Sequence, residues 1–220
     1  MKITDSFSPN YDSREGHAID MLVLHYTGLP TGAEARARLL DRNSKVSAHY
    51  LVEEDGSIFC LVPEDRRAWH AGLSSWRGES NINQRSIGIE IVNPGHEFGY
   101  RPFPGAQMKM VAMLCRDVIA RNKIAARNVV GHSDIAPSRK EDPGELFDWQ
   151  TMAKLGIGVW PKDVPALSEL KEDMLAYYGY DVSDRPKAIT AFQRHFRPKA
   201  MTGQWDTECA RLLESLLKLV

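Results

Sequence analysis

The sequence predicts a mixed α/β domain followed by a small all-helical domain. In the first part, short apolar runs such as 21–26 and 86–92, typical of buried strands, alternate with helical patterns. The segment 156–165, GIGVWPKDVP, is typical of a linker, and no strand pattern follows it. We therefore expect two domains with separate cores: residues 1–160, a central mixed sheet flanked by helices, and residues 161–220, a bundle of three helices.

Local patterns predict each element in chain order. Thr31 and Glu34 have the spacing of a capping box, which marks the start of a helix. Asp55 and Gly56 separate two apolar runs and are typical of a hairpin turn. Apolar residues recur every three or four positions over 107–122, which indicates an amphipathic helix. The predicted strands are 21–26, 48–52, 58–62, 86–92 and 129–130, and the predicted helices are 32–42, 107–122, 148–156, 166–178, 186–196 and 207–219.

Composition argues against several classes of partner. The chain has 28 basic and 29 acidic residues and no basic stripe, which argues against a nucleic-acid binder. No apolar run approaches the roughly 18 residues of a membrane span, and the first residues lack the apolar segment of a secretory signal. Cys60, Cys115 and Cys209 are scattered, as is typical of thiols in a reducing compartment. We expect a cytoplasmic protein, or a periplasmic or envelope protein if a signal was removed; the oligomeric state stays open.

Two histidines and a carboxylate lie where predicted strands give way to loops. His25 is near the end of one strand, and His132 directly follows another. Asp142 lies further along 131–144, GHSDIAPSRKEDPG, whose prolines predict neither helix nor strand. Two histidines and one carboxylate form a ligand set that catalytic zinc sites use, with a further position left for water. Taken alone, a histidine in such a position is more often structural than a ligand, and a lone aspartate in such a loop is normally a turn former or a cap.

Glu90 interrupts an apolar strand. It shares a face with Gly88, while three isoleucines of the strand share the other face. A carboxylate there is either on a solvent-exposed face or is held for chemistry. Lys140 has the alternative interpretation of a solvated surface lysine, and Trp69 with His70 is either a packed turn or the wall of a groove.

Five segments carry a resemblance to a known family. They are VLHYTG, SAHYLVEEDG, RAWHAG, SIGIEIVN and GHSDIAPSRKEDPG, in this order over about residues 10–160. They resemble the zinc-dependent N-acetylmuramoyl-L-alanine amidases of the amidase-2 family, of the AmpD/AmiD type, whose fold peptidoglycan recognition proteins share. The segments AITAFQRHF and TGQWDTECARLL in the tail resemble the three-helix type 1 peptidoglycan-binding module.

The resemblance implies an activity and a set of site residues. The reaction would be hydrolysis of the amide between N-acetylmuramic acid and L-alanine, in peptidoglycan or in muropeptides that include 1,6-anhydro forms. One Zn²⁺ per chain would be held by His25, His132 and Asp142, with Glu90 as the acid–base group and Lys140 stabilising the oxyanion. The candidates for substrate contact are Tyr26, Trp69, His70 and Asn81.

Two other functions remain open from the sequence. One is a non-catalytic peptidoglycan-binding protein with a structural zinc, and the other is a zinc amidohydrolase that acts on an amide outside the cell wall. The complete ligand set argues against the first, and the wall-binding tail argues against the second. The preference between intact wall and anhydro-muropeptides stays open.

Overall fold

The computed structural model describes residues 1–219 of the chain. The strands are β1 (Ile3–Asp5), β2 (Tyr11–Ser13), β3 (Met21–Tyr26), β4 (Tyr50–Val52), β5 (Ile58–Cys60), β6 (Arg66–Ala68), β7 (Ser75–Trp76), β8 (Glu79–Ser80), β9 (Ser86–Ile91) and β10 (Val129–Gly131). The helices are α1 (Gly32–Leu40), α2 (Ile82–Arg85), α3 (Gly95–Phe98), α4 (Gly105–Asn122), α5 (His132–Ile135), α6 (Trp149–Lys154), α7 (Met174–Tyr178), α8 (Arg185–Phe196) and α9 (Thr207–Leu217). Within residues 1–219, none of these helices has the length and apolar character that a bilayer crossing requires.

A six-stranded mixed sheet, in the order β1-β5-β4-β9-β3-β10, forms the centre of the fold. The neighbours β4, β9, β3 and β10 run parallel, β5 is antiparallel to β4, and β1 is parallel to β5. The carboxyl ends of β9, β3 and β10 therefore meet at one edge of the sheet. Such edges are where open α/β sheets carry their ligand sites.

The two faces of the sheet are covered by different helices. On one face, Leu22 and Ile89 pack against Val111 and Val118 of α4 in one buried cluster. Alternate residues point the other way because side chains alternate along a strand. Val23 and its neighbours on that second face pack against the C-terminal helices.

Most predicted elements are confirmed, with short differences at their ends. Thr31 caps α1 through its side chain, which accepts a hydrogen bond from the Glu34 N–H, and β4 and β5 pair as an antiparallel hairpin. The predicted helix 166–178 was too long, since α7 covers only its last five residues. Leu167 is 81% exposed, so a helix there would lack the packing that short helices need.

The prediction that 131–144 contains no helix was wrong for its first residues. α5 forms one turn, His132–Ile135, before Pro137 restricts the chain. The Asp134 carboxylate accepts a hydrogen bond from the Gly131 N–H at 2.7 Å and caps this turn.

The expectation that the C-terminal helices have a separate core was also wrong. One continuous buried cluster joins sheet residues to residues of α7, α8 and α9. Its members from the first part of the chain are Met21, Val23, Ala71, Trp76, Ile82, Val130 and Ile135, and the large members from the helices include Leu175, Phe192, Leu213 and Leu216. The C-terminal helices are therefore one of the two layers that cover the sheet.

Removal of residues 161–220 is expected to leave an aggregation-prone chain rather than an active one. Each large apolar side chain that becomes exposed costs about 1.5–3 kcal/mol, and several together reach the total stability of a typical domain, about 5–15 kcal/mol. Circular dichroism and size-exclusion chromatography of the truncated chain test this expectation. A monodisperse truncated chain with parental zinc content and activity on a soluble muropeptide would contradict it.

Candidate metal centre and active site

The structure brings three donor atoms together at the shared strand edge. His25 Nδ1 lies 3.0 Å from both His132 Nδ1 and Asp142 Oδ2, and the last two atoms are 3.1 Å apart. All three side chains are buried. His25 is near the carboxyl end of β3, and His132 directly follows the neighbouring strand β10. The Ser133 N–H donates to the Asp142 carbonyl at 2.9 Å, which returns the loop to the same edge.

A chain of hydrogen bonds behind His25 orients its ring. The Ser86 hydroxyl donates its one proton to the Ile82 carbonyl at 2.7 Å, so Ser86 Oγ accepts from His70 Nε2–H at 3.1 Å. Burial holds the pKa of His70 well below its usual value, so the ring is neutral and His70 Nδ1 carries a lone pair. That atom accepts from His25 Nε2–H at 3.0 Å. His25 Nδ1 is therefore left with its lone pair facing the centre.

The donor set fits a cation. His132 Nε2–H donates to the Ala71 carbonyl at 3.1 Å, so Nδ1 is the ring nitrogen that faces the centre. Two imidazole nitrogens and a carboxylate oxygen then face one another at about hydrogen-bond distance. Imidazole nitrogens and carboxylate oxygens are the ligands that zinc takes in proteins. His25, His132 and Asp142 can therefore hold a metal ion.

The charge states agree with this assignment. Burial, and then the neighbouring His132, lower the pKa of His25 to about 4, so His25 is neutral at neutral pH. Burial alone would raise the pKa of Asp142, but the two histidine rings outweigh that effect and hold its pKa well below the usual value. A neutral imidazole and an ionised carboxylate are the forms that bind metals.

Glu90 lies beside this centre. It pairs in register with His25 across β9 and β3, so the two side chains share a face of the sheet. Its Oε2 atom is buried and, within residues 1–219, has no hydrogen-bond partner. Burial, followed by the nearby Asp142, raises the pKa of Glu90 well above its usual value, and Lys140 partly opposes this. The predicted alternative of a solvent-facing strand surface was wrong.

A cleft of about 440 Å³ opens above the centre. The predicted site residues that line it are Tyr26, His25, Trp69, His70, Glu90, His132, Lys140 and Asp142. Tyr26 and Trp69 are only partly buried, whereas His70 lies at the base of the cleft behind His25. The structure does not bring Asn81 to the cleft; this residue is exposed at the start of α2.

Sequence reasoning missed Ser86 and the orienting contact of His70. Ser86, Gly88 and Glu90 are every second residue of β9, so their side chains share one face of the strand. This alternation was the signal that could have placed Ser86 beside the site. Gly88 is required by His70 rather than by Glu90. A Cβ atom at Gly88 would lie 2.5 Å from His70 Cγ.

Gly88→Ala is expected to weaken metal binding about tenfold, because the methyl group displaces the ring that orients His25. The strand has little freedom to move away, since the Gly88 N–H donates to His49 Nδ1 at 2.9 Å. We expect a stability loss of about 1–3 kcal/mol. Thermal unfolding measures the stability, and competition with a chelator measures the metal affinity. Gly105→Ala is the control, because no atom lies within 4 Å of a Cβ there; equal behaviour of the two variants would contradict the prediction.

Known proteins resemble this chain over most of its length. The N-acetylmuramoyl-L-alanine amidase family, Amidase_2, matches residues 15–145. N-acetylmuramoyl-L-alanine amidase AmiD of Escherichia coli is 40% identical over 91% of this chain and 83% of its own length. 1,6-anhydro-N-acetylmuramyl-L-alanine amidase AmpD of Citrobacter freundii is 37% identical over 64% of this chain and 83% of its own length.

A solved structure shares the fold over nearly the whole chain. It is a complex of E. coli AmiD with the substrate anhydro-N-acetylmuramic acid-L-Ala-D-gamma-Glu-L-Lys, with a TM-score of 0.83 and 37% identity. The alignment covers 96% of this chain and 98% of that one, so the C-terminal helices are included. The family match spans more than half of the sequence and includes His25, Glu90, His132 and Asp142. The chain therefore belongs to the N-acetylmuramoyl-L-alanine amidase family.

Proposed function

We propose that this enzyme hydrolyses the amide between the lactyl group of N-acetylmuramic acid and L-alanine, in peptidoglycan or its muropeptide fragments. The observation that carries the proposal is the buried, unpartnered Glu90 Oε2 beside a centre with three metal donors. AmiD, the relative that aligns with 91% of this chain, was solved with an anhydro-muropeptide substrate. Anhydro-muropeptides are therefore among the substrates that we propose for this chain.

One Zn²⁺ per chain would be held by His25, His132 and Asp142. Bound zinc supplies a Lewis acid that polarises a carbonyl group and lowers the pKa of water. The surrounding residues keep the donors ready for it: His70 and the Ala71 carbonyl hold the two imidazole rings in the tautomer that presents Nδ1.

Glu90 is proposed as the group that moves the proton. Its raised pKa makes it a carboxylate that can take a proton from water in the cleft and hold it. It can then give that proton to the nitrogen of L-alanine as the amide bond breaks. A buried carboxylate oxygen without a hydrogen-bond partner is costly, and such cost is typical of a catalytic group rather than of a structural one.

Lys140 and the walls of the cleft are proposed to position the substrate. Lys140 lines the cleft and would donate to the oxyanion that develops on the lactyl carbonyl. Tyr26 and Trp69 present aromatic surface to the same cleft. A contact between Asn81 and substrate stays a prediction.

A binding protein with a structural zinc is the weaker alternative. Such a protein gains nothing from a cleft-lining carboxylate with one oxygen buried and without a hydrogen-bond partner. Glu90 therefore favours turnover over binding alone.

The test is mass spectrometry of the products after incubation with a defined muropeptide, its 1,6-anhydro form and purified sacculi, side by side. We expect release of a stem peptide that begins with free L-alanine. Treatment with a chelator should abolish the release, and added zinc should restore it. Intact substrates after incubation with the zinc-loaded enzyme would overturn the proposal.

Residues 161–220 are proposed to bind the wall as a three-helix peptidoglycan-binding module. This rests on the resemblance of the tail to that module, and a second point of attachment would raise the effective concentration at the polymer. The test is a pull-down of the Glu90→Gln chain with sacculi while soluble muropeptide saturates the cleft. Chain that stays on the sacculi supports the module, and full release contradicts it.

The cytoplasmic location also stays a prediction, supported by three unpaired cysteines.

A further inference from the structure

Asp134 is a buried carboxylate two residues after His132, and it is 1% exposed. It accepts three hydrogen bonds. One comes from the Gly131 N–H at 2.7 Å within the same turn. The other two come from the C-terminal part of the chain: the Tyr180 hydroxyl donates to Oδ1 at 2.7 Å, and His195 Nδ1 lies 2.8 Å from Oδ2.

Both C-terminal donors are held rigidly. The His195 ring stacks between Trp149 and Phe196, with ring centroids 3.9 and 4.0 Å apart. The Tyr180 ring packs edge-on against Trp76 at 5.3 Å. Because the rings cannot turn freely, the two donors fix where the Asp134 carboxylate lies.

The position of Asp134 is linked to two of the proposed metal ligands. Its carboxylate caps α5, whose first residue is His132. The next residue, Ser133, donates its N–H to the Asp142 carbonyl at 2.9 Å, so a shift of this turn moves both ligands. Asp134 is not among the cleft-lining residues of the described chain, so it acts through the backbone rather than on substrate.

A second contact between the C-terminal helices and this loop lies nearby. Arg194 of α8 reaches Glu141 at 3.4 Å and Glu145 at 3.9 Å, on either side of Asp142. The C-terminal helices thus contact the segment that carries His132 and Asp142 at two places, at Asp134 and on either side of Asp142.

We propose that the C-terminal helices keep the metal site in shape, with Tyr180 and His195 as positioning residues that act through Asp134. The inference rests on the metal centre of the proposed function. It assigns these helices a role at the metal that is independent of any contact with the wall, so it applies equally to small soluble substrates.

The test compares Tyr180→Phe with Tyr178→Phe. Tyr178 is a buried tyrosine that packs on the same Trp76, but its hydroxyl is not among the donors to Asp134. Zinc affinity is measured by competition with a chromophoric chelator, and the visible spectrum of the cobalt-substituted protein reports ligand geometry. We expect Tyr180→Phe to bind zinc about tenfold more weakly with a changed cobalt spectrum, and Tyr178→Phe to match the parent in both. Parental affinity and spectrum in Tyr180→Phe would overturn the inference.

A double-mutant cycle separates this route from general loosening of the fold. If Tyr180 acts through Asp134, then Asp134→Asn combined with Tyr180→Phe binds zinc no more weakly than Asp134→Asn alone. Additive losses would overturn the inference. His195→Phe, which keeps a stacked ring and removes the donor, gives an independent measurement if Tyr180→Phe unfolds. Failure of the metal centre itself is distinguishable, since the parent and Asp142→Ala would then bind zinc equally.

Discussion

Asp142→Ala is expected to lose both zinc and activity while the chain stays folded. Its Oδ2 atom is the carboxylate donor that faces both histidine nitrogens. Structural zinc sites bind with about 10–16 kcal/mol shared over four ligands. One ligand therefore contributes about 3 kcal/mol, or roughly a hundredfold in affinity. Turnover should fall at least in proportion once zinc is limiting.

Metal analysis after gel filtration measures the zinc content, circular dichroism measures folding, and a muropeptide assay measures activity. Asp117→Ala is the matched control, because Asp117 is an exposed carboxylate on α4 that pairs with Arg121 at the surface. Full zinc content and normal turnover in Asp142→Ala would remove this residue from the site.

Glu90→Gln is expected to keep zinc and lose turnover. The amide preserves the shape of the side chain and removes its ability to take up a proton. General acid–base groups contribute about 10²–10⁴-fold, so kcat should fall by that factor, with little change in KM. Zinc content should equal that of the parent, because Glu90 is not one of the three donors.

Steady-state kinetics at saturating zinc check this result. Glu54→Gln serves as the control, since Glu54 forms a partly exposed pair with Arg101, and such pairs contribute little. Turnover of Glu90→Gln within about twofold of the parent would place the base elsewhere, because so small a change lies below the range of such groups. The two variants together separate loss of metal from loss of proton transfer.

The sequence predicted the strands and helices that repeat a pattern over enough residues. The alternation in β9 and the helical spacing in α4 arise from local geometry, so both are visible without the fold. The positions of His25 and Glu90 near the ends of such strands followed from the same patterns. The two-residue strands β7 and β8 were missed because no period is visible over so short a length.

The amino-acid sequence by itself determined the sheet-forming segments, the main helices and the residue types of the candidate metal site. Tertiary structure decided which side chains orient the donors and what the tail packs against. His70 supports His25 across 45 residues of chain, and His195 reaches Asp134 across 61. Such partners are selected by how layers pack and which buried polar atoms need a partner. That information exists only once the sheet and the C-terminal helices share a core.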